Sequence, residues 1–260
     1  MVLPDLKSHF QEKGYCLSPP LIPQDLLDRV VPRMDAVIGG EYETGVPPYA
    51  LHFTPEDPPG KLRKIDQPHL CDRTIQEVVC HPALGEFAAG LLDAEWVQVW
   101  AVQLLVKPGG GDPAGRVGWH QDKNYWRYWK GEVFTCWVAV SDVTADSGPM
   151  RYVPGSNHWG YLEGGNFYGG DDDLQRGKIT LPEGVEWKEE PAILPPGAAA
   201  FHHKHTFHAS GPNTSVQPRR SFAIHMRTHR SEPNPVEGEL HYYISNLEDP
   251  IECPVIYGQR

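Results

Sequence analysis

The chain has 260 residues, with 34 acidic against 23 basic side chains, a net charge of −11, and 26 each of Gly and Pro. That length can bury a sizeable core and asks for no more than one domain, 1–260. The negative balance argues against nucleic acid or an anionic membrane as partner, and no apolar run is long enough to span a bilayer.

The opening residues Met1 to Asp5 lack the basic, apolar and cleavage regions of a signal peptide in their proper order. Five cysteines without CxxC spacing read as reduced thiols, and the ending Gly258-Gln259-Arg260 is not a peroxisomal address. A cytoplasmic location is therefore expected. Amphipathic helices are expected at 5–13 and 24–38, the second from the spacing of Leu26, Leu27, Val30, Val31, Met34 and Val37. Residues 40–62 have no period and read as a loop. Two further helices fit 74–80 and 82–92, the latter opened by Pro82.

From residue 95 the texture changes to aromatic and β-branched residues. Strands are expected at 96–106 and about 116–121, 132–141, 149–153, 191–194, 198–203 and 219–228. A helical part over about 1–94 followed by a strand-rich core over about 95–230 implies an α+β fold that is mainly β: helices on one sheet of an antiparallel sandwich. The Gly-rich segment 156–189, with Asp171, Asp172 and Asp173 in it, is too long for a simple connection and reads as a lid.

The chemistry centres on Gly118-Trp119-His120-Gln121-Asp122. On extended backbone His120 and Asp122 point the same way, an imidazole and a carboxylate converging on one ion. A third ligand is available from the run Phe201-His202-His203-Lys204-His205-Thr206-Phe207-His208. Two His and one carboxylate leave open positions, the arrangement of non-haem Fe(II) oxygenases. Arginine about a dozen residues beyond the last histidine offers a planar fork for a carboxylate. Strand alternation separates the two candidates. Arg219, Ser221, Ala223 and His225 share a small, polar face, whereas Arg220, Phe222, Ile224 and Met226 share an apolar face suited to the helices.

Together the HxD pair, Trp137, the Val153-Pro154-Gly155-Ser156-Asn157-His158 run, His208-Ala209-Ser210-Gly211-Pro212-Asn213 and Arg219 resemble the phytanoyl-CoA dioxygenase family of Fe(II)/2-oxoglutarate oxygenases. The resemblance is strongest over 96–228. It implies a double-stranded β-helix (a jelly roll, cupin-like) and a metal triad of His120, Asp122 and His208. It further implies Arg219 as the 2-oxoglutarate clamp, with Gln121, Trp137, Ser210, Gln103 and Lys64 as further cosubstrate contacts. Fe(II), 2-oxoglutarate and O2 are the implied cofactor and cosubstrates. The implied reaction is hydroxylation of a C–H bond in a small organic molecule, coupled to decarboxylation of 2-oxoglutarate to succinate and CO2.

His203 matches a family position on the strand leading to the ligand, beside the metal or in packing; His202 and His205 read as polar strand and turn residues, and His158 and His241 as ordinary polar groups. Among the aromatics, those following Asp122 are candidates for the substrate pocket. The acidic chain offers no cradle for CoA phosphates. Two other classes compete: a jelly-roll metal protein without redox chemistry, such as an isomerase or binding module, which needs no dicarboxylate clamp; and a halogenase, which needs a vacancy where Asp122 stands.

Overall fold

Helical spacing of apolar residues builds the first layer. In the computed structural model, which describes residues 4–235 and 242–260, α1 (Pro4–Lys13), α2 (Gln24–Ile38), α3 (Arg73–Val79) and α4 (Pro82–Leu92) precede most of the strands. Leu26, Leu27, Val30, Met34 and Val37 form the buried stripe of α2. Asp72 caps α3 by accepting from the Thr74 and Ile75 amides at 2.9 and 3.0 Å, and its other oxygen takes the Arg33 Nε at 2.6 Å.

The strands are β1 (Tyr15–Leu17), β2 (Ala50–Leu51), β3 (Arg63–Asp66), β4 (Val97–Lys107), β5 (Val117–His120), β6 (Trp129–Ala139), β7 (Met150–Tyr152), β8 (Glu190–Pro191), β9 (Ala199–His203), β10 (His208–Ser210), β11 (Arg219–Pro233) and β12 (Val255–Tyr257). They form two antiparallel sheets in the cupin-like, open jelly-roll arrangement. The larger runs β1-β9-β6-β11-β4-β3-β2, with β12 also on β4; the smaller runs β5-β10-β7-β8. Two short helices, α5 (Asp172–Arg176) and α6 (Tyr242–Ser245), lie outside these layers.

Period-2 alternation sorts the larger sheet. Phe134, Cys136, Val138, Phe222, Ile224 and Met226 face the helices in one core. Trp137, Ala139, Ala200, Leu105 and Ala223 turn inward to meet Val117, Met150 and Tyr152 of the smaller sheet. A register shift opposite His225/Met226 leaves Trp100 as the extra residue of β4, since Met226 faces Val99 and His225 faces Ala101. This bulge turns both Trp100 and Ala101 inward and keeps Val99 and Val102 in the helix-facing core.

Several expectations are refined. The region 1–94 is not purely helical, because β1, β2 and β3 widen the larger sheet at both edges; strands of two to four residues leave no readable period. The strand expected at 191–194 shrinks to Glu190–Pro191 and one bridge between Val143 and Leu194. Pro191, Pro195 and Pro196 supply no amide donors for a longer ladder. The segment 156–189 carries more packing than its Gly content suggested: Trp159, Leu162, Ile179, Leu181 and Trp187 gather on Trp119 and Phe207. No helix among the described residues is long and apolar enough to cross a membrane. His241 lies outside the described residues.

Candidate active site

Strand pairing brings the ligand candidates together. In the smaller sheet His208 of β10 lies directly opposite His120 of β5, with ring centroids 4.1 Å apart. Asp122 follows in a one-turn 3-10 helix whose preceding residue, Gln121, is extended (φ −109, ψ 134). Asp122 Oδ1 is thereby held 3.8 Å from His120 Nε2 and 3.7 Å from His208 Nε2. One ligand atom from each of the three residues lies within 4.8 Å of the others, and all three residues are buried.

The proton inventory suits a cation. His120 Nδ1 lies 2.8 Å from the Gly118 carbonyl and His208 Nδ1 lies 2.9 Å from the Thr206 carbonyl. A carbonyl only accepts, so each Nδ1 carries the proton and each Nε2 keeps its lone pair facing Asp122. Burial pushes both imidazoles below the ordinary histidine range. Burial opposes ionisation of Asp122, but the hydrogen bond from His202 favours it, and the carboxyl lies below its usual range. Two neutral imidazoles and one carboxylate aimed at one point form a donor set for a divalent metal.

The second carboxylate oxygen is fixed from behind. Thr135 Oγ1 donates to Asp122 Oδ2 at 2.7 Å, and His202 Nε2 lies 3.2 Å from the same oxygen. His202 Nδ1 meets the Tyr152 hydroxyl at 3.0 Å. Thr135 has one proton, given to Asp122, so its oxygen accepts from His225 Nδ1 at 3.0 Å. Sheet register explains this chain of contacts, since His202, Thr135 and His225 are lateral neighbours on β9, β6 and β11.

The triad opens into a cavity of about 330 Å³ between the sheets. At one end Arg219, 2 % exposed, lies over the Trp137 ring at 4.9 Å and donates through Nη1 to the Gly148 carbonyl. Its Nε is buried without a partner among the described residues, and burial pushes its pKa down to about 10. A buried fork with no acid beside it among the described residues suits an incoming carboxylate. Ser210 and Gln103 line the same cavity. Trp137, Ala223 and Gln103 are lateral neighbours across three strands, and the short Ala223 side chain leaves room between its larger neighbours. Lys64 also lines the cavity, with Nζ 3.2 Å from Asp66 Oδ1 and 5.6 Å from the Phe167 ring centroid. At the other end the walls are aromatic, from Trp100, Tyr125, Trp126, Tyr128 and Tyr243, with Phe167 and Tyr168 contributed by the 156–189 segment.

Two expectations need correction. Gln121 does not line the cavity. Its amide donates to the Gly160 and His205 carbonyls at 2.8 and 2.6 Å and accepts from the Leu162 amide at 2.9 Å. The alternation that aims His120 and Asp122 inward sends Gln121 to the opposite side. His202, expected as an ordinary polar strand residue, is the histidine that reaches Asp122, whereas His203 takes the packing place of its two expected readings, its Nδ1 accepting from the His205 amide at 3.1 Å. Arg220 lies outside, its Nη2 donating to both Asp35 oxygens at 3.0 Å. Residues that sequence reasoning missed are Thr135, His225 (placed on the inner face but given no role), Tyr152 and Asp66. The signal for the first two was their inward parity on β6 and β11.

An alpha-ketoglutarate-dependent hypophosphite dioxygenase (a probable one) of Stutzerimonas stutzeri is 26% identical over 164 residues, 63% of this chain and 56% of that protein. The L-proline trans-4-hydroxylase of Streptomyces griseoviridis is 26% identical over 185 residues, 63% of this chain and 66% of its own length. The matches thus span less than two thirds of either relative. Among solved structures, the apo non-heme monooxygenase ThoJ superposes with a TM-score of 0.70 at 23% identity, over 98% of this chain and 85% of that one, and so shares the fold. Residues 10–221 match the phytanoyl-CoA dioxygenase (PhyH) family, and the chain belongs to it.

Proposed function

We propose that this chain is an Fe(II)- and 2-oxoglutarate-dependent dioxygenase that hydroxylates a C–H bond of a small organic molecule. The observation that carries the reading is one cavity holding both the His120–Asp122–His208 donor set and the acid-free fork of Arg219. Two neutral imidazoles and a carboxylate would hold the metal, and Arg219 would take the distal carboxylate of 2-oxoglutarate. Bound there, iron with 2-oxoglutarate and O2 supplies oxidation of an unactivated C–H bond, with succinate and CO2 released.

The protein's own part is positioning. Thr135 and His202 hold Asp122 so that Oδ1 stays turned to the two imidazoles. Trp137, Ser210, Gln103 and Lys64 would contact the cosubstrate. The aromatic end of the cavity would seat the substrate and keep water from the reacting carbon, with 156–189 acting as its lid within a single domain. A free small molecule fits better than a CoA ester: apart from Arg219, Lys64 is the only lysine or arginine among the described residues lining the cavity, and it is engaged by Asp66. A cytoplasmic setting suits the five free thiols.

A non-redox metal protein has no use for an unpaired buried arginine, and a halogenase has no use for Asp122. Succinate formation from 2-oxoglutarate with added Fe(II) in air tests the reading. No succinate above a metal-free control, with iron shown to be bound, would reject it.

A further inference from the structure

Arg219 is not alone at its end of the cavity. Across the β4–β11 ladder its directly opposite residue is Lys107, which is fully buried at 0 % exposure. Neither cation has a carboxylate partner within ion-pair distance among the described residues. Like charges placed directly opposite each other oppose folding, and burial without a counter-ion makes the arrangement worse. Burial, and then the Arg219 charge, push the lysine's pKa well below its usual range, and an anion bound at that end would favour its charged form.

The hydrogen bonds show how Lys107 reaches the cavity that it does not itself line. Its ammonium donates to Ser210 Oγ at 2.6 Å and to the Gly211 carbonyl, with the Ser210 carbonyl at 3.3 Å. These three acceptors use its three protons. Ser210 Oγ, having accepted from Lys107, has its own proton left to give, and no acceptor for it is found among the described residues. Ser210 is a cavity-lining residue at the Arg219 end. A bound carboxylate is the acceptor this hydroxyl lacks.

We propose that Lys107 is a positioning residue for the distal carboxylate of the oxo-acid cosubstrate: it orients the Ser210 hydroxyl into the cavity as a donor and, with Arg219, makes that end of the site selective for a dicarboxylate. The proposal rests on the 2-oxoglutarate reading above. It assigns to Lys107 a role distinct from direct contact, because the lysine acts through Ser210 and through its charge. The Asn213 side chain holds the chain around it, donating through Nδ2 to the Lys107 and Gln217 carbonyls at 3.1 and 2.8 Å. That contact uses main-chain groups and survives removal of the ammonium.

The test is calorimetric titration of the anaerobic Fe(II) protein with two oxo acids. 2-Oxoglutarate has the distal carboxylate; 2-oxobutyrate has the same chelating end without it. Wild type, Lys107→Met, Lys107→Gln, Ser210→Ala and the Lys107→Met/Ser210→Ala double variant are compared. Truncation at a buried charge contact predicts a loss of about thirty-fold or more in 2-oxoglutarate affinity for Lys107→Met. Its 2-oxobutyrate affinity should stay within about threefold, since that ligand makes no use of the distal site. Lys107→Gln, which keeps a donor for Ser210 but no charge, should fall between. In the Ser210→Ala background the further loss from Lys107→Met should shrink, since part of the lysine's action has already been removed.

Equal losses for the two oxo acids would mean that Lys107 only braces the strand end, and would overturn the proposal. So would unchanged 2-oxoglutarate affinity in both Lys107 variants. Should Lys107→Met not fold, Ser210→Ala and Lys107→Gln carry the same comparison, and unaltered selectivity in both is the refuting result. Failure of the underlying reading looks different: wild type itself would show no binding of 2-oxoglutarate.

Discussion

Replacing Arg219 by Leu should abolish tight 2-oxoglutarate binding while leaving the fold intact or firmer. The guanidinium is 2 % exposed, makes one side-chain hydrogen bond to a carbonyl, and faces no acid among the described residues. Removing it orphans no carboxylate in the free protein, and burial already disfavours its charge, as its lowered pKa of about 10 indicates. In the complex the same change leaves a buried carboxylate without its main partner, a loss of about 2–5 kcal/mol, or roughly thirty-fold to a few thousand-fold in Kd. Arg219→Lys keeps the charge, loses the fork and should recover part of that loss. Arg220→Ala is the contrast, because its bond to Asp35 is on the helix side and half of Asp35 is exposed. Such a pair contributes about 0–1 kcal/mol to stability and nothing to the cosubstrate. Calorimetric titration of 2-oxoglutarate under anaerobic Fe(II), with urea unfolding of the same samples, measures both quantities. A large affinity loss in Arg220→Ala with an unchanged Arg219→Leu would refute the assignment and the strand register behind it.

His120→Ala, Asp122→Ala and His208→Ala should each lose iron and turnover, whereas His205→Ala should retain the metal; iron retained by His208→Ala but lost by His205→Ala would identify a different third ligand. Thr135→Val, which frees Asp122 Oδ2, should weaken metal binding by about 10–100-fold, read by competition with a chelator. His69, fully enclosed and bonded through Nε2 to the Glu252 carbonyl at 3.0 Å, is pushed down to about 4 by burial. The unfolded chain therefore binds the extra proton below about pH 6.5 and the folded one does not, so stability is full above that pH and falls by about 2 kcal/mol on going to pH 5. Urea titrations of His69→Gln should show a flatter decline between pH 7 and 5, and an unchanged slope would remove His69 as a source. Hydrogen exchange should find the Trp159, Ile179 and Trp187 region of the insertion protected throughout and residues near Phe167 and Tyr168 protected only with substrate; uniform protection without substrate would argue against a lid.

The layered fold was legible because two periods dominate it. The 3.6-residue spacing in α2 and the alternation in β11 each name the face that packs, and the two faces meet in one core. What escaped had no period to read. Tyr15–Leu17 and Ala50–Leu51 are too short to alternate, and they become strands because the edges of the larger sheet offer unpaired backbone groups. The packing inside 156–189 escaped for a different reason. Its Trp and Leu residues follow no helical or strand spacing, and only the Trp119 and Phe207 surfaces of the smaller sheet collect them.

At the site, parity carried further than motif. The candidate metal triad is spread over two strands and a turn, and the side chains that reach it are those that point inward on each element. Applied to β11, parity separated Arg219 from Arg220. Applied to the HxD stretch, it forbids Gln121 from sharing a cavity with His120 and Asp122, so a cosubstrate contact by the middle residue contradicts the geometry that makes its neighbours candidate ligands. Applied to β9, it puts Ala200 and His202 on the inner face and leaves His203 beyond it. His202 then stands beside Thr135, and both reach the one Asp122 oxygen turned away from the imidazoles. The aromatic end is a case that parity alone could not have reached. Trp100 and Ala101 are consecutive, and an unbroken strand would send one of them outward; only the bulge opposite His225 lets both line the cavity. That extra residue sits where the aromatic half of the pocket begins, so the shape of that end depends on a break in the pattern from which the rest of the sheet can be read.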